Sequence, residues 1–137
     1  MEHRFGTAMA CMTGLLLLAT GCGDDGGPTG TVAGTLEVSL STPHDDDAAI
    51  VFTITGPGFG QITASDPTDY LHVVGTGTSR TAVLVGDVGT GGLVRISVAD
   101  VSESDAYTAT VVQVADDTNA LRPSLAGYAL SISNAGN

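Results

Sequence analysis

Side chains able to do chemistry are few in this 137-residue chain, and most of them are carboxylates. Asp45, Asp46 and Asp47 follow His44 in one turn, while Asp100, Glu103 and Asp105 crowd a second. Oxygen ligands gathered from two loops are what a hard cation such as Ca²⁺ requires, so these six residues form a candidate calcium site. Their spacing is not that of an EF-hand loop, which alternates acids around a central Gly and ends on Glu. The competing reading is two solvated acidic loops. A third acidic stretch, Asp116-Asp117-Thr118-Asn119, could also ligate calcium through two acids and an Asn, but Asp and Asn are equally the usual turn residues, and the turn is the favoured reading.

The histidines beyond the leader are His44 and His72. A Ser-His-Asp hydrolase holds its histidine between a nucleophile and an orienting carboxylate. The sequence has no Gly-x-Ser-x-Gly elbow, and His72 lies in an alternating segment with Tyr70 and Val74 on its face, as a strand residue does. His44 beside three aspartates has the chemistry of a metal ligand, but two histidines remote in sequence do not make a zinc set. Paired carboxylates could cleave a glycoside. Phe52, Phe59, Tyr70, Tyr107 and Tyr128 are few rings with which to line a sugar cleft. Gly86 to Gly92 lacks the Gly-Lys-Ser/Thr ending of a phosphate loop, and the chain has no lysine, so hairpin turns explain it.

Cys22 is the remaining reactive group. It closes Leu18-Ala19-Thr20-Gly21-Cys22, after Leu15 to Leu18 and before a polar, glycine-rich stretch. A start of this kind is a targeting segment. The apolar run from Met9 to Gly21 is interrupted by Thr13, Gly14 and Thr20, and is shorter than the roughly 20 residues that cross a bilayer as a helix. An ordinary secretory signal with Cys22 as a stray thiol is the alternative. Residues 1–21 resemble the signal peptide of bacterial lipoproteins, whose lipobox is an apolar residue, two small residues and a cysteine. The resemblance implies a diacylglyceryl thioether on Cys22, cleavage before it and acylation of the new amine. Two or more acyl chains, at about 0.8 kcal/mol per buried methylene, hold durably. In enterobacterial lipoproteins an aspartate just after the cysteine retains the protein in the inner membrane. Gly23 stands there, with Asp24 one further on, so the resemblance points towards the outer membrane, with the domain in the periplasm or at the cell surface.

Cleavage before Cys22 leaves 137 − 21 = 116 residues, one small domain with a tether. Cys22 is then the sole thiol, so no internal disulfide is available and packing alone must hold the fold. Arg80, Arg95 and Arg122 face fourteen acids beyond Cys22, a mature charge of 3 − 14 = −11. Such a surface repels nucleic acid and anionic lipid and favours cations or basic partners.

The elements that must position these residues are strands. From Val32 onward period-two alternation prevails and no helical stripe is sustained. Residues 22–31 read as the lipidated cysteine and a flexible tether, and 32–137 as the domain. Val32, Leu36, Val38 and Leu40 form one face of the first strand, opposite Thr35, Glu37, Ser39 and Ser41. Further strands are expected at 48–55, 61–64, 71–74, 81–85, 93–99, 106–115 and 128–133. Seven to eight short strands at this spacing predict an all-β, two-layer antiparallel β-sandwich, immunoglobulin-like or related. Val101, six residues before Tyr107, with Tyr107, Ala109 and Val111 alternating after it, resembles the tyrosine corner of fibronectin type III and immunoglobulin-like domains. That resemblance implies a hydroxyl bond back to the backbone.

An immunoglobulin-like order would put the Asp45–Asp47 turn and the Asp100–Asp105 crossover at one end, away from the membrane. The Gly56–Gly60 turn and the Asp116–Gly127 loop would then sit beside the tether. The expected function is a lipid-anchored, non-enzymatic binding or structural module of the envelope, meeting an envelope protein or a cation. A small periplasmic hydrolase with an unrecognised site, or an inhibitor or accessory subunit of an envelope complex, are the alternatives.

Overall fold

The computed structural model describes residues 30–136. The leader, Cys22 and the tether up to residue 29 lie outside the described residues. Eight strands follow: β1 (Gly34–Ser41), β2 (Asp47–Thr55), β3 (Ile62–Ala64), β4 (Tyr70–Val74), β5 (Ser79–Val85), β6 (Gly91–Val98), β7 (Thr108–Asp116) and β8 (Ala129–Asn134). A short 3₁₀ segment, Val101–Ala106, joins β6 to β7. All the ladders are antiparallel, and they form two four-stranded sheets ordered β3-β6-β1-β8 and β4-β5-β2-β7. The protein is an all-β sandwich.

Alternation does most of the positioning. Leu36, Val38 and Leu40 of β1 meet Ile50, Phe52 and Ile54 of β2 in one core, together with Ala82, Leu84, Val94 and Ile96. All ten are essentially inaccessible to water. Burying a side chain of this size contributes about 1.5–3 kcal/mol, which is how a domain without a disulfide holds together. Val32, grouped with them by period, is half exposed because β1 begins two residues later. Three bulges interrupt the period, one of them at the start of β2, where Asp47 pairs Asp116 and Ala49 pairs Ala115, so that Ala48 is the extra residue. Val38 pairs Val94 while Ser39 pairs Gly92, so Leu93 is the extra residue, and both Leu93 and Val94 turn inward. Phe52 pairs Val111 while Val51 pairs Gln113, and here the extra residue, Val112, turns outward. A bulge of this kind re-aims one side chain without ending the strand.

The strand order differs from the immunoglobulin-like one expected. In that fold the first two strands pair within one sheet. Here β1 pairs β6 and β8, and β2 lies in the other layer. Among the described strands only β4 and β5 are sequence neighbours in the same sheet. Their hairpin closes through Gly75 (φ 111°) and Gly77 (φ 64°), left-handed conformations natural to glycine. Every other connection passes between layers, so the loops gather at the two ends of the sandwich.

Candidate functional site

The chain enters the domain at one end, called here the tether end. Val101 N–H donates to the Val32 carbonyl at 2.8 Å and Val32 N–H to Asp100 Oδ1 at 3.3 Å, which fixes the 3₁₀ crossover beside the start of β1. The Gly56–Gly60 turn lies at this end too, since Gly60 N–H donates to the Ser97 carbonyl at 2.8 Å. Between the turn and the crossover is a groove of about 500 Å³ lined by Pro57, Phe59, Val98, Glu103 and Tyr107, with Thr31 at its rim.

Tyr107 shapes its floor. The ring is 7 % exposed, and the hydroxyl donates to the Gly58 carbonyl at 2.6 Å. Burial pushes the Tyr107 hydroxyl pKa up, and the Glu103 charge adds to that. Phe59 meets the Tyr107 ring edge-to-face at 5.7 Å, and the Arg80 guanidinium lies 5.0 Å from the Phe59 ring centre. The hydroxyl bond reaches a turn 49 residues earlier, whereas a tyrosine corner bonds a few residues upstream. The resemblance therefore holds for a buried Tyr after a crossover, not for its partner. Gly56 is required beneath it, because a β-carbon there would lie 2.2 Å from the Tyr107 ring.

The six expected calcium ligands are divided between the two ends. Asp100, Glu103 and Asp105 lie at the tether end, where Asp100 caps the 3₁₀ segment by accepting from Ser102 N–H at 2.9 Å and Ser102 Oγ at 2.7 Å. Those bonds, led by the Ser102 hydroxyl, hold its carboxyl below the usual range. Asp45, Asp46 and Asp47 lie one strand length away, roughly 25 Å for eight residues at ~3.3 Å. The pooled site is not assembled. Strand order is the reason: β6 pairs antiparallel with β1, Val98 opposite Gly34, so the crossover that follows β6 returns to the start of β1 while the Asp45–Asp47 turn follows its end. Among the described residues no group of three or more His, Cys, Asp or Glu side chains is placed to hold a metal ion.

At the far end two of those aspartates already have a partner. Among the described residues Asp47 is the one buried charged side chain. Its carboxylate accepts from Arg122 Nε at 2.8 Å, from the Thr42 hydroxyl at 2.8 Å and from the Tyr128 hydroxyl at 2.8 and 3.0 Å. Arg122 also binds Asp46, and Asp116 Oδ2 lies 3.9 Å from its Nη1. Burial pushes the Asp47 carboxyl up, but Thr42, Arg122 and Tyr128 together hold it below its ordinary value. Arg122 is correspondingly raised, first by its bond to Asp47. Burial raises the Tyr128 hydroxyl, and its bond to Asp47 adds to this. Asp45 and Asp46 remain exposed.

The Asp116–Gly127 loop belongs to this far end as well, since Asp116 pairs Asp47 and Asp117 N–H donates to the Asp46 carbonyl at 2.9 Å. The expectation that it sits beside the tether is corrected; the Gly56–Gly60 turn does sit there, and Asp45–Asp47 do point away from it. Asp116 forms the expected turn, accepting from Thr118 Oγ1 at 2.7 Å and from the Thr118 and Ala120 amides. His44 stacks on Tyr128 at 5.8 Å, while His72 is exposed on the outer face of β4, so the two histidines share no site.

In the sequence Arg122 is visible only as one of three arginines beyond Cys22. Its signal is its place in the same loop as Asp116 and Asp117, six residues after Asp116.

No family model, no curated protein and no solved structure matched the chain in these comparisons. The class defined by the fold is thus an acidic, disulfide-free β-sandwich with a groove where the chain enters it. Among the described residues no helix is long and apolar enough to cross a membrane.

Proposed function

We propose that this chain is a lipid-anchored, non-enzymatic binding module of a bacterial envelope, held by Cys22 and meeting its partner through the groove at the tether end. The observation that carries the reading is the place of Thr31: nine residues after Cys22, it already lines the groove. A flexible tether of that length spans about 17 Å. A Cys22 lipid would therefore keep the groove close to the bilayer, where an envelope protein's exposed segment would meet it. Phe59 and Tyr107 offer an apolar floor and Asp100 and Glu103 an acidic rim, a combination suited to a basic segment with aliphatic or aromatic side chains. The net charge of −11 steers the same class of partner.

Two measurements test this. Intact mass of the membrane-extracted protein is expected to show a chain starting at Cys22 with acyl groups, and Cys22→Ala is expected to leave the membrane fraction. A Cys22→Ala protein that stays membrane-bound and is cut at the same position refutes the anchor. For the groove, a photocrosslinking side chain at Glu103 should capture an envelope protein in a salt-sensitive way, and one at Asp117 should not. Capture only from Asp117 would put the binding surface at the far end.

A further inference from the structure

Of the two acids on the rim of the tether-end groove, one is committed and one is free. Asp100 accepts from Ser102 N–H at 2.9 Å, from Ser102 Oγ at 2.7 Å and from Val32 N–H at 3.3 Å, so its carboxylate has its donors within the fold. The ion pairs of the described residues are those of Arg95 and Arg122, and among the described residues no side-chain hydrogen bond reaches Glu103, which is exposed. Arg80, the arginine at this end, is held by the Gly77 and Ser79 carbonyls at 3.0 and 2.9 Å and does not line the groove. Glu103 nonetheless has a fixed place. The 3₁₀ segment that carries it is capped by Asp100 at its start and closed at its end by Tyr107 N–H, which donates to the Ser104 carbonyl at 3.1 Å.

The groove wall has a second open group. Ser97 of β6 is bonded on its β3 side: its carbonyl accepts from Gly60 N–H at 2.8 Å, and its N–H donates to the Gln61 carbonyl at 2.9 Å. Two residues further along, Ala99 lines the groove and is exposed, and neither its N–H nor its carbonyl has a partner among the described residues.

We infer that the groove selects one lysine or arginine residue of an extended segment, with the cation on Glu103, the aliphatic stem across Phe59 and Tyr107, and the segment's main chain bonded to Ala99. This rests on the groove being the binding surface, as proposed above, and adds what that surface selects. Desolvation makes the choice. An occupant that fills the groove takes Glu103 out of water, and a charge so covered is costly unless it is paired. An apolar residue would leave it unpaired and an acidic one would oppose it, whereas Asp100, already satisfied, makes no such demand. The floor narrows the choice further. Pro57, Phe59, Val98 and Tyr107 are apolar, and lysine and arginine lay their stems on such surfaces while the charged head stays at the edge. Main-chain bonds supply affinity and side-chain pockets supply specificity, so Ala99 sets the line of the segment and Glu103 the residue presented. A volume of about 500 Å³ lies within the ~300–1,000 Å³ of small-ligand sites, which suits a few residues of a segment and not a folded domain.

The test uses the full chain, nitrogen-15 labelled and held in detergent micelles, titrated with the pentapeptide acetyl-Thr-Val-Lys-Val-Thr-amide. Amide shifts are expected at Phe59, Ala99 and Glu103 and not at Asp117. Replacing the lysine by norleucine, which keeps the stem and removes the charge, should weaken binding about tenfold or more. Glu103→Gln, a change at an exposed side chain, should abolish that preference, while Asp117→Asn, the same loss of charge at the far end, keeps it. Methylating the peptide nitrogens in two alternating sets should abolish binding for one set and spare it for the other, because successive N–H groups of an extended chain point to opposite sides. A lysine preference that survives Glu103→Gln, no preference at all, or an equal effect of the two methylated sets would overturn the inference while leaving the groove as the binding surface. Shifts at Asp117 and Asn119 alone, or no shifts, would overturn the groove reading and this inference with it.

Discussion

Removing the Asp47 carboxylate is the sharpest perturbation of the far end. Its side chain is fully inaccessible and is held by one guanidinium and two hydroxyl groups, all at 2.8–3.0 Å. Hydrogen bonds to a charged acceptor each contribute about 1.5–3 kcal/mol, but they are not additive, because Arg122 retains Asp46 and both hydroxyls can turn to water. Breaking a buried pair from one side costs about 3–5 kcal/mol in total. Asp47→Ala is therefore expected to lose about 3–5 kcal/mol. For a domain near 100 residues that is a fall in Tm of at least about 12 °C, taking about 4 °C per kcal/mol as the lower conversion. Urea unfolding followed by circular dichroism gives the free energy directly, and an unchanged slope would show that the same surface is exposed. Asp47→Asn keeps the shape and the acceptor oxygen while removing the charge, and should fall between wild type and Asp47→Ala. A loss below about 1 kcal/mol for Asp47→Ala would refute the reasoning, since that is the value of an exposed ion pair.

Acid should destabilise the domain by a related route. Asp47, Asp66, Asp100 and Asp116 are all held below the ordinary carboxylate value in the folded state, Asp66 chiefly through the Thr68 backbone amide and Asp116 chiefly through the Thr118 hydroxyl. A depressed carboxyl contributes stability above its unfolded pKa and loses it as pH falls through the folded one. Melting temperature should thus be level above about pH 5 and fall progressively below about pH 4, with a shallower fall in Asp47→Asn; a rise in Tm on acidification would contradict the assignment. Calcium is expected to leave Tm unchanged. A site of the weak extracellular kind, with Kd about 0.1–1 mM, would add about 1.4–2.7 kcal/mol at 10 mM metal, so a calorimetric shift of that size would restore a site at one end.

What the sequence made legible was local. Alternation in Leu36, Val38 and Leu40 and in Ile50, Phe52 and Ile54 predicts both the strands and their buried faces, because the period of a pleated strand is a property of neighbouring residues. Asp100-x-Ser102 and Asp116-x-Thr118 are likewise local bonds made by residue types that favour turns. The bulges at Leu93 and Val112 were not legible, since a bulge is defined by the partner strand. Nor was the strand order, and with it went the pooled calcium site: β6 pairs antiparallel with β1, a long-range pairing that carries the crossover after β6 to the end opposite the Asp45–Asp47 turn. Arg122 and Asp47 are 75 residues apart and Tyr107 and Gly58 are 49 apart, so neither contact has a spacing rule that could have revealed it.

The far-end network also changes what the acidity means. A buried carboxylate is expensive unless paired and hydrogen-bonded, and a domain with twelve acids and three arginines over residues 32–137 has few cations with which to pair one. It commits Arg122 to Asp47 and Asp46, tying the β1–β2 turn to the loop before β8, and so closes the end where both layers would otherwise splay. Arg95 sits on Glu37 at the surface and Arg80 over Phe59 beside the groove. All three arginines of the described residues are thereby engaged within the fold, and the charge left at both ends is negative. That arrangement supports the proposed reading, because acidic ends of this kind favour a basic segment over an acidic one.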